Sequence, residues 1–246
     1  MTSRRSFRFR LGSVGGQLRL LARASGRATS SLAASVIAGA EPKLSLGAQA
    51  AKLPPGQEFL LATTSAVREQ GDEQTCCAHA VAAAMETRLV DSHGANPLAL
   101  SIDPMAIFTP RPKRSLGIAC EVAAGGVPDS GGVTHAATTN FLGGATIEEM
   151  IVALKEKRTP LMIELQVQGD FLNNDDPFLY RPNAPDAGAH AVCVVGYGTD
   201  AASNDPYWVI KNSFGPQWRR HGYAGILWND PIVVPERTVH VMVEVT

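Results

Sequence analysis

A histidine and an asparagine in this chain lie where two neighbouring strands would bring them together. His190 opens a strand-like run that continues to Tyr197, and Asn212 closes the next run, which begins at Tyr207. A His–Asn pair held on adjacent strands suits proton transfer, but it needs a nucleophile. Cys76 is a candidate upstream, at the start of an alanine-rich segment. The three residues therefore predict a thiol-based nucleophilic site.

The segments around these residues resemble the papain-like cysteine peptidases. Gln70 precedes Cys76 by six positions, which is the interval between the family's Gln and its nucleophilic Cys. Residues 207–226 align without gaps with the family pattern Asn-Ser-Trp-Gly-x-x-Trp-Gly-x-x-Gly-Tyr. The Leu-Pro-Pro start at residues 53–55, the Gln-Gly pair and the Cys-x-Ala-x-Ala helix opening are similar to compact, bacterial-type members.

The resemblance implies a role for each candidate residue. Cys76 would be the nucleophile, favoured as a thiolate by the first turn of a helix and by a nearby imidazolium. His190 would form the ion pair with it and then protonate the leaving amine, while Asn212 would orient the imidazole ring. Gln70 would donate its side-chain N–H to the developing oxyanion, with the backbone N–H of Cys76 as the second donor.

Several neighbouring residues depart from the family pattern. Phe214 stands where the family has a Trp that covers the His–Asn contact, whereas Trp218 keeps the second family Trp and is predicted to help roof the cleft. Arg219 stands where a Gly is usual, and Glu73 replaces a small residue or a cysteine beside the nucleophile. Cys77 occupies an apolar position of the family and is predicted to be structural.

Charge is distributed unevenly along the 246 residues. Residues 1–40 contain seven Arg and no acidic residue, which leaves 15 basic against 23 acidic groups in the remainder, a net charge of about −8. A domain this acidic is not suited to bind phosphate backbones, so no nucleic-acid partner is expected. The hydrophobic content of 45% supports a packed core, and without a run of 18 apolar residues no membrane span is predicted.

The basic segment, residues 1–52, is interpreted as a leader or a disordered tail that lies outside the fold. Residues 3–9 resemble a twin-arginine export signal. The Arg- and Ser-rich composition of residues 1–40, which contain no acidic residue, also fits a mitochondrial transit peptide. With Cys76 as nucleophile, the four cysteines offer no obvious disulfide framework, which favours a reducing compartment such as the cytoplasm, or a fold that does not rely on disulfide bridges. The catalytic domain is predicted to cover residues 53–246.

The hydrophobic patterning predicts helices first and strands later, which is an α+β arrangement. It fits a papain-like two-lobed fold, with a helical left lobe, an antiparallel β-barrel-like right lobe and the active site in the cleft between them. The predicted helices cover 76–90, 115–124 and 147–157; the predicted strands cover 160–167, 190–197, 207–211, 224–228 and 239–245.

Three functions are compatible with these residues. The first is a cysteine-type peptidase that hydrolyses peptide bonds through a Cys-His-Asn site and an acyl-thioester on Cys76. The second is an amidase or acyl transferase that uses the same residues on another substrate. The third is a catalytically degenerate papain-like fold that serves as a binding or regulatory protein.

The resemblance implies a polypeptide substrate, a protein inhibitor as a further partner, and no cofactor. A metal site is not predicted, because the run Cys76-Cys77-Ala78-His79 lacks both the ligand spacing and the second ligand pair that zinc requires.

Overall fold

The structure of the protein is a computed structural model that describes residues 58–61, 65–94, 100–112, 115–173, 178–228, 230, 232–233 and 239–246. The predicted leader or tail, residues 1–52, lies outside the described residues. All residues proposed above for the site lie within them.

The longest described helix, α1 (Cys76–His93), begins at the candidate nucleophile. Its first half is rich in Ala, the residue with the highest helix propensity, and small side chains let the helix pack closely on the sheet. The helix ends at Gly94, whose φ of 63° is in the left-handed region, and the Gly94 N–H donates to the Leu89 carbonyl. The sequence thus places Cys76 at a defined helix N-terminus.

The other described helices begin at residues that suit helix starts. α2 (Pro104–Phe108) follows Asp103, whose side chain accepts from the Met105 N–H. α3 (Leu116–Ala124) follows Ser115. α4 (Ile147–Lys155) begins with a capping box between Thr146 and Glu149, which satisfies backbone donors in its first turn.

Eight strands of the described residues form one sheet. They are β1 (Glu58–Leu60), β4 (Ala137–Phe141), β5 (Leu161–Gln168), β6 (Leu179–Tyr180), β7 (Asp186–Thr199), β8 (Pro206–Lys211), β9 (Tyr223–Leu227) and β10 (His240–Val245). The strand order is β4-β10-β5-β7-β8-β9-β6, and β1 also pairs with β7. Every pairing is antiparallel except that of β6 with β9. Two short strands, β2 (Val127–Pro128) and β3 (Thr134–His135), form a separate hairpin.

The sheet carries a hydrophobic core on each face. One core joins α1, α2 and α3 to residues such as Met162, Ala191 and Cys193, and the other packs α4 and aromatic residues such as Trp208 against the opposite face. This arrangement confirms the α+β, papain-like prediction with its helical lobe. In the described part of the chain the sheet is open rather than a closed barrel, so the second lobe is barrel-like only in its antiparallel strands.

The predicted helices and later strands are confirmed with shifts at their ends, and β7 starts four residues before the predicted strand. Sequence patterning missed α2, β1, β2, β3, β4 and β6, each of which is five residues long or shorter. None of the helices in the described ranges is both long and apolar enough to cross a membrane.

Candidate active site

Cys76 is the first residue of α1 and is partly exposed, whereas its neighbour Cys77 is buried. The pKa of the Cys76 thiol is held well below its ordinary value, chiefly because the Cys77 thiol donates a hydrogen bond to the Cys76 sulfur. Interaction with His190 and the backbone N–H of Ala191 lower this pKa further, against the opposing effect of burial. These contacts favour a thiolate, the nucleophilic form of cysteine.

His190 and Asn212 form a direct hydrogen bond. His190 lies on β7, and Asn212 follows the last residue of the neighbouring β8, so the antiparallel pairing brings the two side chains to the same end. His190 Nε2 lies 2.7 Å from Asn212 Oδ1, and both residues are buried. The predicted His–Asn pair is therefore present in the structure.

The surroundings of Asn212 determine the tautomer of His190. The Ser213 backbone N–H donates to Asn212 Oδ1 at 2.8 Å. A backbone N–H cannot accept, so the Asn212 atom beside it must be the oxygen. The same oxygen then accepts from His190, which requires the ring proton on Nε2 and leaves Nδ1 for the exchange with Cys76.

Aromatic rings cover the face of the imidazole. The Phe214 ring stacks on His190 with centroids 4.6 Å apart and an interplanar angle of 28°. Phe171 contacts both rings, and the Trp218 Nε1–H donates to the Phe171 carbonyl at 2.9 Å. Trp218 is completely buried, so it supports this aromatic layer from within rather than roofing an open cleft. Sequence reasoning missed Phe171, because nothing in its local motif distinguishes it from a core residue.

Arg219, at the position where the family has Gly, has a φ of 42°. Its guanidinium lies over the rings of Tyr180 and Trp218 at 4.9 and 5.2 Å from their centroids. These cation–π contacts compensate part of the strain of the left-handed backbone. The Arg219 charge is thus packed against the aromatic layer.

Gln70 is buried beside the His–Asn pair. Its backbone N–H donates to the Ser213 carbonyl at 2.8 Å, and its Oε1 accepts from the Ser213 hydroxyl at 2.5 Å. Its Nε2 donates one proton to the Glu73 carbonyl at 2.8 Å. Because a side-chain amide carries two N–H donors, Gln70 has a second N–H besides the one that it gives to Glu73. Ser213 thus positions the Gln70 side chain. It belongs to the Asn-Ser motif, but this role was not predicted from the sequence.

The strand-like segment of residues 65–70 is attached to the loop after β8. Glu69 pairs with Phe214, and the Gly215 N–H donates to the Arg68 carbonyl at 2.9 Å. On the other side, the Asn212 N–H donates to the carbonyl of Gly222, whose φ is 88° and where any side chain would collide with Val67. Main-chain contacts therefore fix the backbone on which Asn212 and Gln70 sit.

A cluster of buried charges lies behind the His–Asn pair. Glu86 on α1 accepts from the Arg68 guanidinium and, at 2.7 Å, from the Ile102 N–H. Lys211, 4% exposed, donates to the carbonyl and hydroxyl of Ser65 at 3.1 and 2.5 Å. Arg68, Glu86 and Lys211 line a small cavity together with Asn212. Two features of the sequence could have indicated this cluster: a Lys within an apolar strand and a Glu within an alanine-rich helix. Neither was recognised from the sequence.

The two-lobed α+β fold, with Cys76 on a helix N-terminus and the His–Asn pair on two strands, defines a papain-like protein. Solved structures agree with this fold. The chain superposes on a procathepsin B from Trypanosoma congolense with a TM-score of 0.62 at 17% identity, covering 83% of each chain. It also superposes on bromelain from Ananas comosus with a TM-score of 0.56 at 17% identity, covering 77% of this chain and 98% of bromelain.

A family model described as papain family cysteine protease matches residues 131–237, which include His190 and Asn212 but not Cys76. A cathepsin B-like protein of Giardia intestinalis is 40% identical over 80 residues, or 32% of this chain and 26% of that protein. Over the matched residues the chain is similar to papain-family cysteine proteases. It spans about a quarter of the length of the curated relatives it matches. The bacterial-type assignment within the family stays a prediction.

All four cysteines of the chain are free thiols. Within the described ranges, no group of three or more His, Cys, Asp and Glu residues is arranged to hold a metal ion. Burial raises the pKa of Cys120 to about 11 and that of Cys193 to about 12, so neither competes with Cys76 as a nucleophile near neutral pH.

Proposed function

We propose that the protein is a cysteine peptidase that hydrolyses peptide bonds at Cys76. The observation that carries the proposal is the grouping of a low-pKa cysteine at a helix N-terminus with an imidazole oriented by Asn212. A cysteine that is only structural would be buried with a raised pKa, as Cys193 is. The structural grouping therefore favours catalysis over a degenerate, binding-only role.

In the proposed mechanism, the Cys76 thiolate attacks the scissile carbonyl carbon, and an electron pair of the sulfur forms the C–S bond. The carbonyl oxygen becomes an oxyanion, which accepts from the second Nε2–H of Gln70 and the backbone N–H of Cys76. Collapse of this intermediate breaks the C–N bond, and His190 donates its Nδ1 proton to the leaving amine. An acyl-thioester on Cys76 and a free amine result.

Hydrolysis of the thioester completes the cycle. The neutral His190 takes a proton from water, and the resulting hydroxide attacks the thioester carbon. The C–S bond breaks, which releases the carboxylic acid and restores the thiolate beside the imidazolium. Asn212 keeps the ring in position in both steps because its oxygen is fixed by two donors.

The relatives support a polypeptide substrate. The family model is that of a cysteine protease, and other partial matches are named cathepsin C from Schistosoma mansoni and pro-cathepsin H from Bos taurus. The bromelain structure is a complex with the inhibitor E64. We extend both properties to this chain, which would cleave polypeptides and bind inhibitors of papain-family proteases, protein inhibitors among them.

Labelling with E64 tests the proposal. The full chain is treated with E64, and the adduct is mapped by mass spectrometry while a peptide library is digested in parallel. We expect one stoichiometric adduct on Cys76, its loss in His190→Ala, and peptide products from the unlabelled protein only. A folded protein that takes up no label and cleaves no peptide would overturn the proposal, whereas labelling without peptide cleavage would favour the amidase or acyl transferase.

The Cys77 thiol gives a pH-dependent prediction. It is the largest influence that lowers the Cys76 pKa, so Cys77→Ala should raise that pKa. The thiolate is present above the Cys76 pKa and is lost as the pH falls through it. The acid limb of alkylation by iodoacetamide should therefore move to higher pH in Cys77→Ala, and should move less in Cys77→Ser, which retains a donor. Coincident acid limbs for the three proteins would contradict this role.

A further inference from the structure

Two thiols lie side by side at the start of α1. Cys76 is the first residue of the helix and Cys77 is the second, and both are free. Cys77 belongs to the core that α1 forms with the sheet, and the Cys76 side chain packs against the same core. The two side chains therefore lie towards the same side of the helix, where the Cys77 thiol donates its hydrogen bond to the Cys76 sulfur.

The two thiols differ in their access to reagents. Cys76 is partly exposed, whereas Cys77 is only 8% exposed. A reagent that enters the cleft therefore meets the Cys76 sulfur first. Because the Cys77 S–H is directed at the Cys76 sulfur, an atom that becomes bonded to Cys76 lies next to the second sulfur. Cys77 can then react without a separate path through the core.

A direct bond between the two sulfurs does not suit their position. The Cα atoms of consecutive residues are about 3.8 Å apart, whereas disulfides usually join Cα atoms about 4.4–6.8 Å apart. The first turn of α1 would have to unwind for the bond to form. A single large atom between the sulfurs lengthens the link and relieves this constraint. The pair therefore suits a bridging atom better than a disulfide.

The chemistry of the pair selects the bridging atom. Thiolates bind soft, polarisable centres, and no group of three or more ligands for a metal ion occurs in the described part of the chain. The bridging atom must therefore be satisfied by two sulfurs. Trivalent arsenic is soft and forms its sulfur bonds at nearly a right angle, which keeps the two sulfurs close together. A linear two-coordinate ion would require the sulfurs to lie on opposite sides of it.

We propose that Cys76 and Cys77 form a vicinal dithiol site that binds trivalent organoarsenicals through both sulfurs. The site goes beyond the proposed peptidase activity and does not depend on it, because binding requires only the two neighbouring thiols. Occupation of the site removes the Cys76 thiolate, so the arsenical would block any reaction at this residue.

The binding reaction consists of two substitutions at arsenic, with no change of oxidation state. Phenylarsine oxide takes up water to give an acid with two As–OH groups. An electron pair of the Cys76 thiolate forms the first S–As bond, and the departing hydroxide takes a proton from the His190 imidazolium to become water. The Cys77 sulfur forms the second S–As bond, and its thiol proton leaves with the second hydroxide. One cyclic adduct and two water molecules result.

Mass spectrometry of the full chain tests the link through both sulfurs. After one equivalent of phenylarsine oxide, we expect one phenylarsenic group per chain, bound with the loss of both As–OH groups and mapped to Cys76 and Cys77. Cys77→Ala and Cys77→Ser should each give an adduct that keeps one As–OH group. Cys120→Ala removes another buried thiol and should behave like the native chain. A native adduct that keeps As–OH, or loss of the second bond in Cys120→Ala, would overturn the site.

A second test measures how firmly the phenylarsenic group is held. The labelled chains are titrated with the monothiol β-mercaptoethanol and with the dithiol dimercaptopropanol. Because the second sulfur bond is intramolecular, half-release should need roughly 10²–10⁴-fold more monothiol for the native chain than for Cys77→Ala, while the dithiol should release the group from both. Equal half-release concentrations of the monothiol would overturn the site. Both tests follow the arsenical rather than turnover, so a chain that binds it through both sulfurs but cleaves no peptide would contradict only the proposed function.

Discussion

Replacing Cys76 by Ala should reduce kcat/KM on a peptide substrate by about 10⁴-fold or more, as expected when a covalent nucleophile is removed. The substitution deletes the atom that forms the acyl-enzyme, and no other thiol can replace it because Cys77, Cys120 and Cys193 are buried with raised pKa values. The measurement is steady-state cleavage of the best peptide found in the library digest.

The control for this loss is the integrity of the fold. Cys76 is only partly buried, so Cys76→Ala should unfold at nearly the same urea concentration as the native protein. His190→Ala should cause a loss of similar size, and the double variant should be little worse than either single one, because the two groups act as a unit. Retained turnover in Cys76→Ala, or additive losses in the double variant, would end the assignment of this pair.

Replacing Glu86 by Ala should lower the free energy of unfolding by roughly 3–5 kcal/mol, the cost of breaking a buried ion pair by removing one partner. Glu86 is 1% exposed and accepts from both Arg68 and the Ile102 N–H. Its loss leaves a buried backbone donor without its acceptor and leaves Arg68 and Lys211 without the nearby negative charge. Since single domains are stable by only about 5–15 kcal/mol, we expect a large shift in a urea unfolding curve.

A matched surface variant distinguishes burial from charge alone. Glu121 lies on α3 and pairs with Arg111. Glu121→Ala removes this pair, but the Glu121 and Arg111 side chains are 66% and 59% exposed. Exposed ion pairs contribute about 0–1 kcal/mol, so this variant should unfold almost like the native protein. If Glu86→Ala and Glu121→Ala shifted the unfolding curve equally, the buried cluster would have no special part in stability.

The sequence was most informative where the motif and the hydrophobic period agreed. The long apolar runs of β7 and β8 predicted two adjacent strands, and the pairing of those strands then brought His190 to Asn212. The helix that begins at Cys76 was equally predictable, because its first half is rich in alanine, the residue with the highest helix propensity. The short strand β4 was missed because half of it faces solvent and its residues are mostly polar.

The site residues that escaped prediction are those whose role depends on long-range contacts. Phe171 and Ser213 become important because the chain folds them against His190 and Gln70. No spacing rule within one sequence encodes such contacts, so the aromatic layer and the buried charges could be recognised only from the structure.

The pairing of residues 65–70 with the loop after β8 has a consequence for how activity would be lost. Through Ser213, the same few hydrogen bonds hold the proposed oxyanion donor Gln70 and the side-chain oxygen of Asn212. Local opening of this segment would release both functions together, long before the cores on the two faces of the sheet unfold. Inactivation under mild stress would then be an all-or-none local event, with molecules either fully competent or fully inactive while globally folded.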